Sequence, residues 1–481
     1  MRTGANLING EWTYDGAGHI PDVNPSDTSD VVAEVPSLDA GQVTTAVEGA
    51  AAAFPGWRAE SSVNRGEILR RAGAVLRRDV DRISDVLRRE AGKPLRDARG
   101  EVLKSAEFLE YYGGLGRAAV GEVLPDGRPG VTSRTVHEPL GAVVAITPWN
   151  DPLLTPARKL GPALITGNTV VLKPATDTPL VSQELARAFE EAGLPAGVLN
   201  TVTGRGGDIG SALMESPLVA AVTFTGSTEV GKALRTQLAP LGTRLQTEMG
   251  GKNATVVMAD ADLDLAAQTV AAAAFGGCGQ RCTATSRLIL HSAIQDCFLD
   301  LLGTVMDGLA IGPTSAPETT FGPVVSRSQM ESVLTAVDRA RSEGAKVLRG
   351  GDRLTRSPLE RGYYVDPALV LVDPTTVLWR EEVFGPVLAI TGVDSLDEAI
   401  SLVNGSNYGL SAGIFTRDLN ASERFISGVD TGQVAVNLPT SGWDAHLPFG
   451  GFKDSGSLFK EQGTAGLGFY RKLKTIAVRT Q

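Results

Sequence analysis

Residues 142–173 read AVVAITPWNDPLLTPARKLGPALITGNTVVLK. Ala142–Thr147 is an apolar, β-branched run, and Thr169–Lys173 is another. Between them a helix-length segment opens after Pro152. Two parallel strands need a crossover of about that length, so strand, helix and strand form the unit from which parallel sheets are built. The same alternation continues downstream. Val198–Val202, Val219–Thr225 and Arg244–Thr247 read as strands, and helical patterns follow Pro179, Asp208 and Ser227. The repeat predicts a doubly wound parallel sheet with helices on both faces.

Ligands of such sheets sit beyond the carboxyl ends of the strands. The residues there are Trp149, Asn150, Lys173, Gly204, Gly206, Gly226, Ser227 and Glu248. Glycines, an amide, an ammonium, a hydroxyl and a carboxylate suit a dinucleotide and a reacting group. No G-x-G-x-x-G follows a strand; Gly204-Arg205-Gly206-Gly207 is the nearest approach, and a Gly-rich turn alone is a weak signal.

Past Gly250-Gly251 a second β-α series begins. It takes in Ala254–Met258, Leu263–Ala274, Arg287–His291, Ile294–Leu309, Ala345–Leu348, Val387–Ile390, Asp397–Val403, Leu410–Phe415 and Gln433–Val436, and it predicts a second α/β domain. Upstream, Val43, Ala46, Val47 and Ala50 recur at helical spacing. Asn64 with Glu67 resembles a capping box ahead of Ile68, Leu69, Ala72, Val75 and Leu76. Further helices hold Ile83, Val86 and Leu87, and then Val102–Leu109. Gly113–Gly130 breaks the pattern. Val131–His137 alternates like an exposed strand and marks an excursion from the main domain. The tail, Lys472–Arg479, reads as a strand that pairs with another subunit's sheet or with Val131–His137 of one.

A chain of 481 residues is too long for one core, so two or three domains are expected. Apolar residues at 42% and charged residues at 21% fit a soluble globular protein. A net charge of −10 leaves no basic excess for nucleic acid or an anionic membrane. No apolar run is long enough to span a bilayer, and MRTGANLING lacks the apolar core of a signal peptide. Three cysteines make no disulfide framework and fit a reducing cytoplasm. The four histidines are far apart and none has metal-ligand spacing, so no metal is expected.

Two of the cysteines, Cys278 and Cys282, lie in the Gly-rich stretch Phe275–Ser286 (FGGCGQRCTATS), and Glu248 precedes it in EMGGK. A ligand approaches a Gly-bounded thiol closely, and a carboxylate elsewhere is a candidate base. On this stretch alone, a buried packing role is the commoner fate of a free cysteine. The ordered set TPWN (147–150), VLKPA (171–175), FTGS (224–227), EMGGK (248–252), GQRC (279–282), EEVFGP (381–386) and LPFGGFKDSG (447–456) is far more specific. It closely resembles the aldehyde dehydrogenase superfamily over essentially the whole chain.

That resemblance implies an NAD(P)-binding Rossmann-variant domain (1–116 and 139–249), a catalytic domain (250–455), an oligomerisation segment (117–138 and 456–481) and a homodimer or homotetramer. It implies Cys282 as nucleophile, Asn150 and the Cys282 N–H as oxyanion donors, and Glu248 as the base that hydrolyses the thioester. Lys173 and Glu382 match the positions that hold the two riboses. Phe384 would pack beside the nicotinamide, and Trp149, Gly206, Gly226 and Ser227 match other cofactor contacts. Trp149 and Phe384 have plain core packing as their alternative, and Cys278 and Cys297 read as packing residues. The glutamate at 248 favours hydrolysis over acyl transfer to coenzyme A. Thr176 stands where many NAD-preferring members carry a glutamate, so either NAD or NADP is admitted.

Asp151, Thr155 and Arg158 fall on one helix face, which the family turns toward the substrate tunnel. Arg158 matches the arginine of succinic-semialdehyde-type members, and its alternative is an ion pair with Asp151. Trp443, His446 and Phe449 belong to the tunnel-mouth loop. CTATSRLI (282–289), VNLPT (436–440) and Lys460-Glu461-Gln462-Gly463 are similar to α-ketoglutaric semialdehyde dehydrogenases. The expected substrate is a small carboxylate-bearing semialdehyde. The alternatives are an aromatic or neutral sugar aldehyde, or a catalytically silent structural or binding member.

Overall fold

The computed structural model describes residues 2–479; Met1, Thr480 and Gln481, the outermost residues of the domain limits above, lie outside the described residues. Five parallel strands form one sheet in the spatial order Leu199–Thr201, Thr169–Lys173, Ala142–Ile146, Val219–Thr225 and Arg244–Glu248. The chain starts in the middle, builds outward on one side, then returns to the other side. The order therefore reverses between Ala142–Ile146 and Val219–Thr225, where a ligand crevice opens. Registers Ile146↔Lys173, Ile146↔Phe224 and Thr225↔Glu248 bring Lys173, Glu248 and the segments after Ile146 and Thr225 to one edge. Ala142–Ala145 and Thr169–Lys173 are buried throughout, which explains their unbroken apolar runs.

The second sheet has seven strands, in the order Lys346–Arg349, Ala368–Leu371, Val387–Val393, Thr285–His291, Asn253–Val257, Ser411–Phe415 and Gln433–Val436. Only the edge strand Lys346–Arg349 runs antiparallel. Phe275, Phe298, Phe415 and Phe425 are fully buried against this sheet; each such ring contributes roughly 1.5–3 kcal/mol by leaving water. A small antiparallel sheet joins Val123–Leu124, Val131–Pro139 and Arg471–Arg479. The architecture is thus two doubly wound α/β units with a small β extension. Among the described residues, no helix is long and apolar enough to cross a membrane.

Four local expectations are corrected. The helix holding Ile68 and Leu69 runs Ser62–Arg78 and is capped by Ser61, whose Oγ accepts the Asn64 N–H at 3.1 Å; Asn64 is inside the helix, so no box forms with Glu67. The helix expected after Asp208 spans Gly206–Met214, so Asp208 lies in its first turn. The tail strand pairs with Val131–Pro139 of its own chain, from Arg471↔Pro139 to Arg479↔Val131. Cys297 is exposed on the helix Gln295–Asp307 and is not a core residue, whereas Cys278 is buried.

Candidate active site

The segment carrying Cys282 leaves the helix Leu263–Phe275 through a turn in which Gly277, Cys278 and Gly279 take φ of 60°, 58° and 67°. A Cβ on Gly279 would strike the Gly385 carbonyl, so the turn requires glycine there. Asn150 Nδ2 donates to the Gln280 carbonyl at 3.0 Å, and Gln280 Oε1 accepts the Val325 N–H at 2.9 Å. Asn253 Nδ2 donates to the Cys282 carbonyl at 2.7 Å and to that of Ala284 at 2.8 Å. These bonds fix the backbone on both sides of the thiol. Among the described residues no acceptor takes the Cys282 N–H, and Asn150 keeps a second amide hydrogen uncommitted. Cys282 and Asn150 share the wall of a cavity of about 660 Å³. Burial pushes the Cys282 thiol from 9.0 to about 12, against the opposing pull of the Arg158 guanidinium.

Glu248 ends its strand next to this cavity but does not line it; its neighbour Met249 does. One carboxyl oxygen accepts from Gln246 Nε2 at 3.1 Å, and the other has no hydrogen-bond partner among the described residues. A Cβ on Gly450 would lie 2.6 Å from Oε1, so the glycine makes room for the carboxyl. Burial first, and then the neighbouring Glu461, push Glu248 well above the ordinary carboxylate range. A buried network continues from it. Gln246 and Thr223 meet the Lys159 ammonium, with Thr223 Oγ1 at 2.8 Å. Lys159 is paired with Glu461, which also meets Arg158 Nε at 2.9 Å. Burial pushes Glu461 up, but Lys159 and Arg158 outweigh it and hold its carboxyl below the usual range.

The substrate-side residues are arranged differently from expectation. Asp151 precedes the helix Leu154–Ile165, although its carbonyl accepts the Thr155 N–H at 2.9 Å and keeps the two in register. Asp151, Thr155, Arg158, Trp443 and Phe449 line the cavity. His446 does not; its exposed ring is 3.6 Å from Asp444. Arg158 is not paired with Asp151. It meets Glu461 and stacks over Phe449 at 4.8 Å. Asp151 is taken by Lys93 at 2.7 Å, and Lys93 also pairs with Glu101. Glu101 in turn accepts the Leu153 and Leu154 N–H groups at 2.9 and 3.1 Å, a carboxylate cap on the helix that carries Arg158.

On the other side of Cys282, Trp149 and Phe384 meet edge to face at 5.3 Å, both in the cavity wall and not in the core. Phe384 has φ 55°, a left-handed backbone that costs roughly 1–3 kcal/mol; Gln329 Nε2 holds it by donating to the Val383 and Phe384 carbonyls at 3.1 and 2.9 Å. Glu382 lies over Gly250-Gly251 and accepts the Gly251 N–H at 2.9 Å. Burial pushes its carboxyl up to about 7. Gly226 and Ser227 line the cavity, and Ser227 caps the helix Thr228–Leu238. Lys173, Thr176 and Gly206 lie outside the cavity wall. Lys173 is buried, and among the described residues its ammonium reaches only the Pro174 carbonyl, at 3.4 Å.

A model of the aldehyde dehydrogenase family matches residues 12–476. The chain belongs to this family. It is 40% identical over 481 residues to an α-ketoglutaric semialdehyde dehydrogenase of Bacillus subtilis, covering 100% of this chain and 99% of that protein. It is 42% identical over 474 residues to an α-ketoglutarate semialdehyde dehydrogenase of Haloferax volcanii, covering 98% of each. Its fold matches the crystal structure of an NAD-dependent aldehyde dehydrogenase from Sinorhizobium meliloti with a TM-score of 0.96 at 33% identity, over 99% of this chain and 94% of that one. The five-stranded unit is accordingly the Rossmann-like NAD-binding domain of an aldehyde dehydrogenase, the seven-stranded unit its catalytic domain, and the small sheet its β extension. The activity of this aldehyde dehydrogenase is NAD(P)-dependent oxidation of an aldehyde to an acid through a cysteine. The crevice suits a dinucleotide: Lys173 is a buried ammonium with no carboxylate partner among the described residues, and Glu382 is a half-buried carboxylate on the cavity wall.

Sequence reasoning did not reach Glu461, Lys159, Gln246, Lys93 or Glu101. Glu461 lay inside a quoted motif, but its partner Lys159 is 302 residues away in the chain.

Proposed function

We propose that this aldehyde dehydrogenase oxidises a small carboxylate-bearing semialdehyde, α-ketoglutaric semialdehyde first, and releases the free acid. The observation that carries the reading is a cavity that joins the Cys282 thiol and the Asn150 amide to a charged wall in which Arg158 and Arg281 both stand. The names of the Bacillus and Haloferax relatives support the same substrate. Cys282 would add to the aldehyde carbon, and its proton must pass to a base as it attacks, because burial keeps it a thiol at neutral pH. The Asn150 amide and the Cys282 N–H are the donors for the oxyanion. When bound, the nicotinamide cofactor accepts the hydride. Lys173 and Glu382 would hold its riboses; Trp149, Phe384, Gly206, Gly226 and Ser227 would border it; and Thr176 would admit a 2′-phosphate. Glu248, held well above the ordinary carboxylate range by burial and Glu461, would in its ionised form take a proton from the water that hydrolyses the Cys282 thioester. To do so its carboxyl must turn toward the cavity. The protein is expected to work as a homodimer or homotetramer in the cytoplasm.

The test is nicotinamide reduction across an aldehyde panel with NAD and with NADP: succinic and α-ketoglutaric semialdehydes, benzaldehyde, glycolaldehyde and hexanal. The reading requires the highest kcat/KM for the carboxylated aldehydes. The second reading, an aromatic aldehyde, draws on Trp443 and Phe449 in the cavity wall; a clear preference for benzaldehyde would favour it.

A further inference from the structure

Five cationic side chains line the cavity, and four are already matched with carboxylates. Lys93 is held by Asp151 and Glu101. Arg96 is 3.6 Å from Asp97, and Lys104 lies 2.9 and 3.0 Å from Glu107 and Asp444. Arg158, the arginine that the sequence singles out for a substrate carboxylate, is matched by Glu461 at 2.9 Å. An anion arriving at Arg158 meets Glu461 as well. Arg281 alone among the five has neither an ion pair nor a side-chain hydrogen bond among the described residues. It is half-buried.

The Arg281 side chain lies along Gly276 and Gly277, where a Cβ would stand 3.5 Å from the guanidinium, in ordinary contact. Arg281 directly precedes Cys282, and both residues line the same cavity. Asp151, the carboxylate that would repel an anion here, is taken by Lys93, and the Arg281 charge also helps to hold its carboxyl down. A planar guanidinium with free donors matches a carboxylate in two parallel hydrogen bonds.

Resting on the semialdehyde reading above, we propose that Arg281, rather than Arg158, binds the carboxylate of the aldehyde substrate and sets the preference for charged over neutral aldehydes. Arg158 then acts as a positioning residue, holding Glu461 and packing on Phe449.

The test compares kcat/KM for succinic semialdehyde with that for butanal in the wild-type enzyme and in Arg281→Gln, Arg281→Lys and Arg158→Gln, each checked for folding by thermal melting. The expected result is a charged-to-neutral ratio that falls about 10- to 150-fold in Arg281→Gln, mostly through KM, with part of it kept in Arg281→Lys. An effect on the thiol or on the fold lowers both aldehydes together and leaves the ratio unmoved; that result overturns the assignment. A ratio lost in Arg158→Gln and kept in Arg281→Gln also overturns it. If Arg281→Gln does not fold, Arg281→Lys decides: an unchanged ratio and an unchanged KM for succinic semialdehyde count against the fork. A wild-type enzyme that prefers butanal refutes the semialdehyde reading itself, and this assignment with it.

Discussion

Replacing Glu461 by glutamine removes the one carboxylate shared by two buried cations. Its side chain is 5% exposed, Arg158 stands 2.9 Å away, and Lys159 is fully buried against it. Breaking a buried pair from one side costs about 3–5 kcal/mol, because the remaining charge has no compensation. In a unit of this size each kcal/mol moves Tm by about 2–4 °C, which predicts a loss of roughly 6–20 °C. Lys159, already pulled below its ordinary value by burial, can shed its proton and keep the loss near the lower end. The same change reaches the chemistry. Glu461 is the neighbouring charge that pushes Glu248 upward, so the variant lowers Glu248 toward its ordinary 4.5. A base that ionises at lower pH works at lower pH. The acid limb of the kcat profile in Glu461→Gln is therefore expected to move to lower pH. The assay is steady-state turnover from pH 5 to 9 with a melting curve at each pH. An acid limb that stays put or moves upward refutes the electrostatic coupling, even if Tm falls as expected.

Glu248→Gln should gain stability relative to wild type as pH rises. A carboxyl whose folded value is raised contributes most below its ordinary 4.5 and loses that contribution as pH climbs through the folded value; differential Tm at pH 5 and 8 checks this, and an equal difference at both contradicts it. Alkylation of Cys282 by iodoacetamide should keep accelerating above pH 9, since burial pushes the thiol to about 12; a plateau near pH 8 would show a thiolate stabilised by something else. Thr176→Glu should turn cofactor preference toward NAD by repelling a 2′-phosphate, read as the NAD-to-NADP ratio of kcat/KM.

Much of the architecture was legible because the strands of a parallel sheet are buried on both faces and announce themselves as apolar runs. Ala142–Ile146 and Thr169–Lys173 are the clearest cases. The four-residue strand Ala368–Leu371 was missed; it is too short to carry a period. The helix Arg327–Ser342 was missed although Met330, Val333, Val337 and Ala340 give its buried stripe, a signal that was available. In the site, motif order singled out Cys282, Asn150 and Glu248, but pairing could not be read. The sequence placed Asp151 and Arg158 on one helix face, which left a bond between them open beside a substrate role for Arg158. The fold instead supplies Lys93 from 58 residues upstream for Asp151, and Glu461 from the far end of the chain for Arg158. Which of several opposite charges meets a given side chain is a tertiary fact, set by which segments the sheets bring together. His446 shows the converse: it belongs to the right loop, yet its ring points to solvent beside Asp444.

The central claim is that Cys282 carries the substrate as a thioester and Glu248 releases it. Glu248→Gln, mixed with NAD and α-ketoglutaric semialdehyde, quenched in acid and mapped by peptide mass spectrometry, tests it most directly. The account predicts an acyl adduct on the peptide containing Cys282, accompanied by a burst of reduced nicotinamide. A burst with no adduct on that peptide, or an adduct on Cys278 or Cys297, would contradict it.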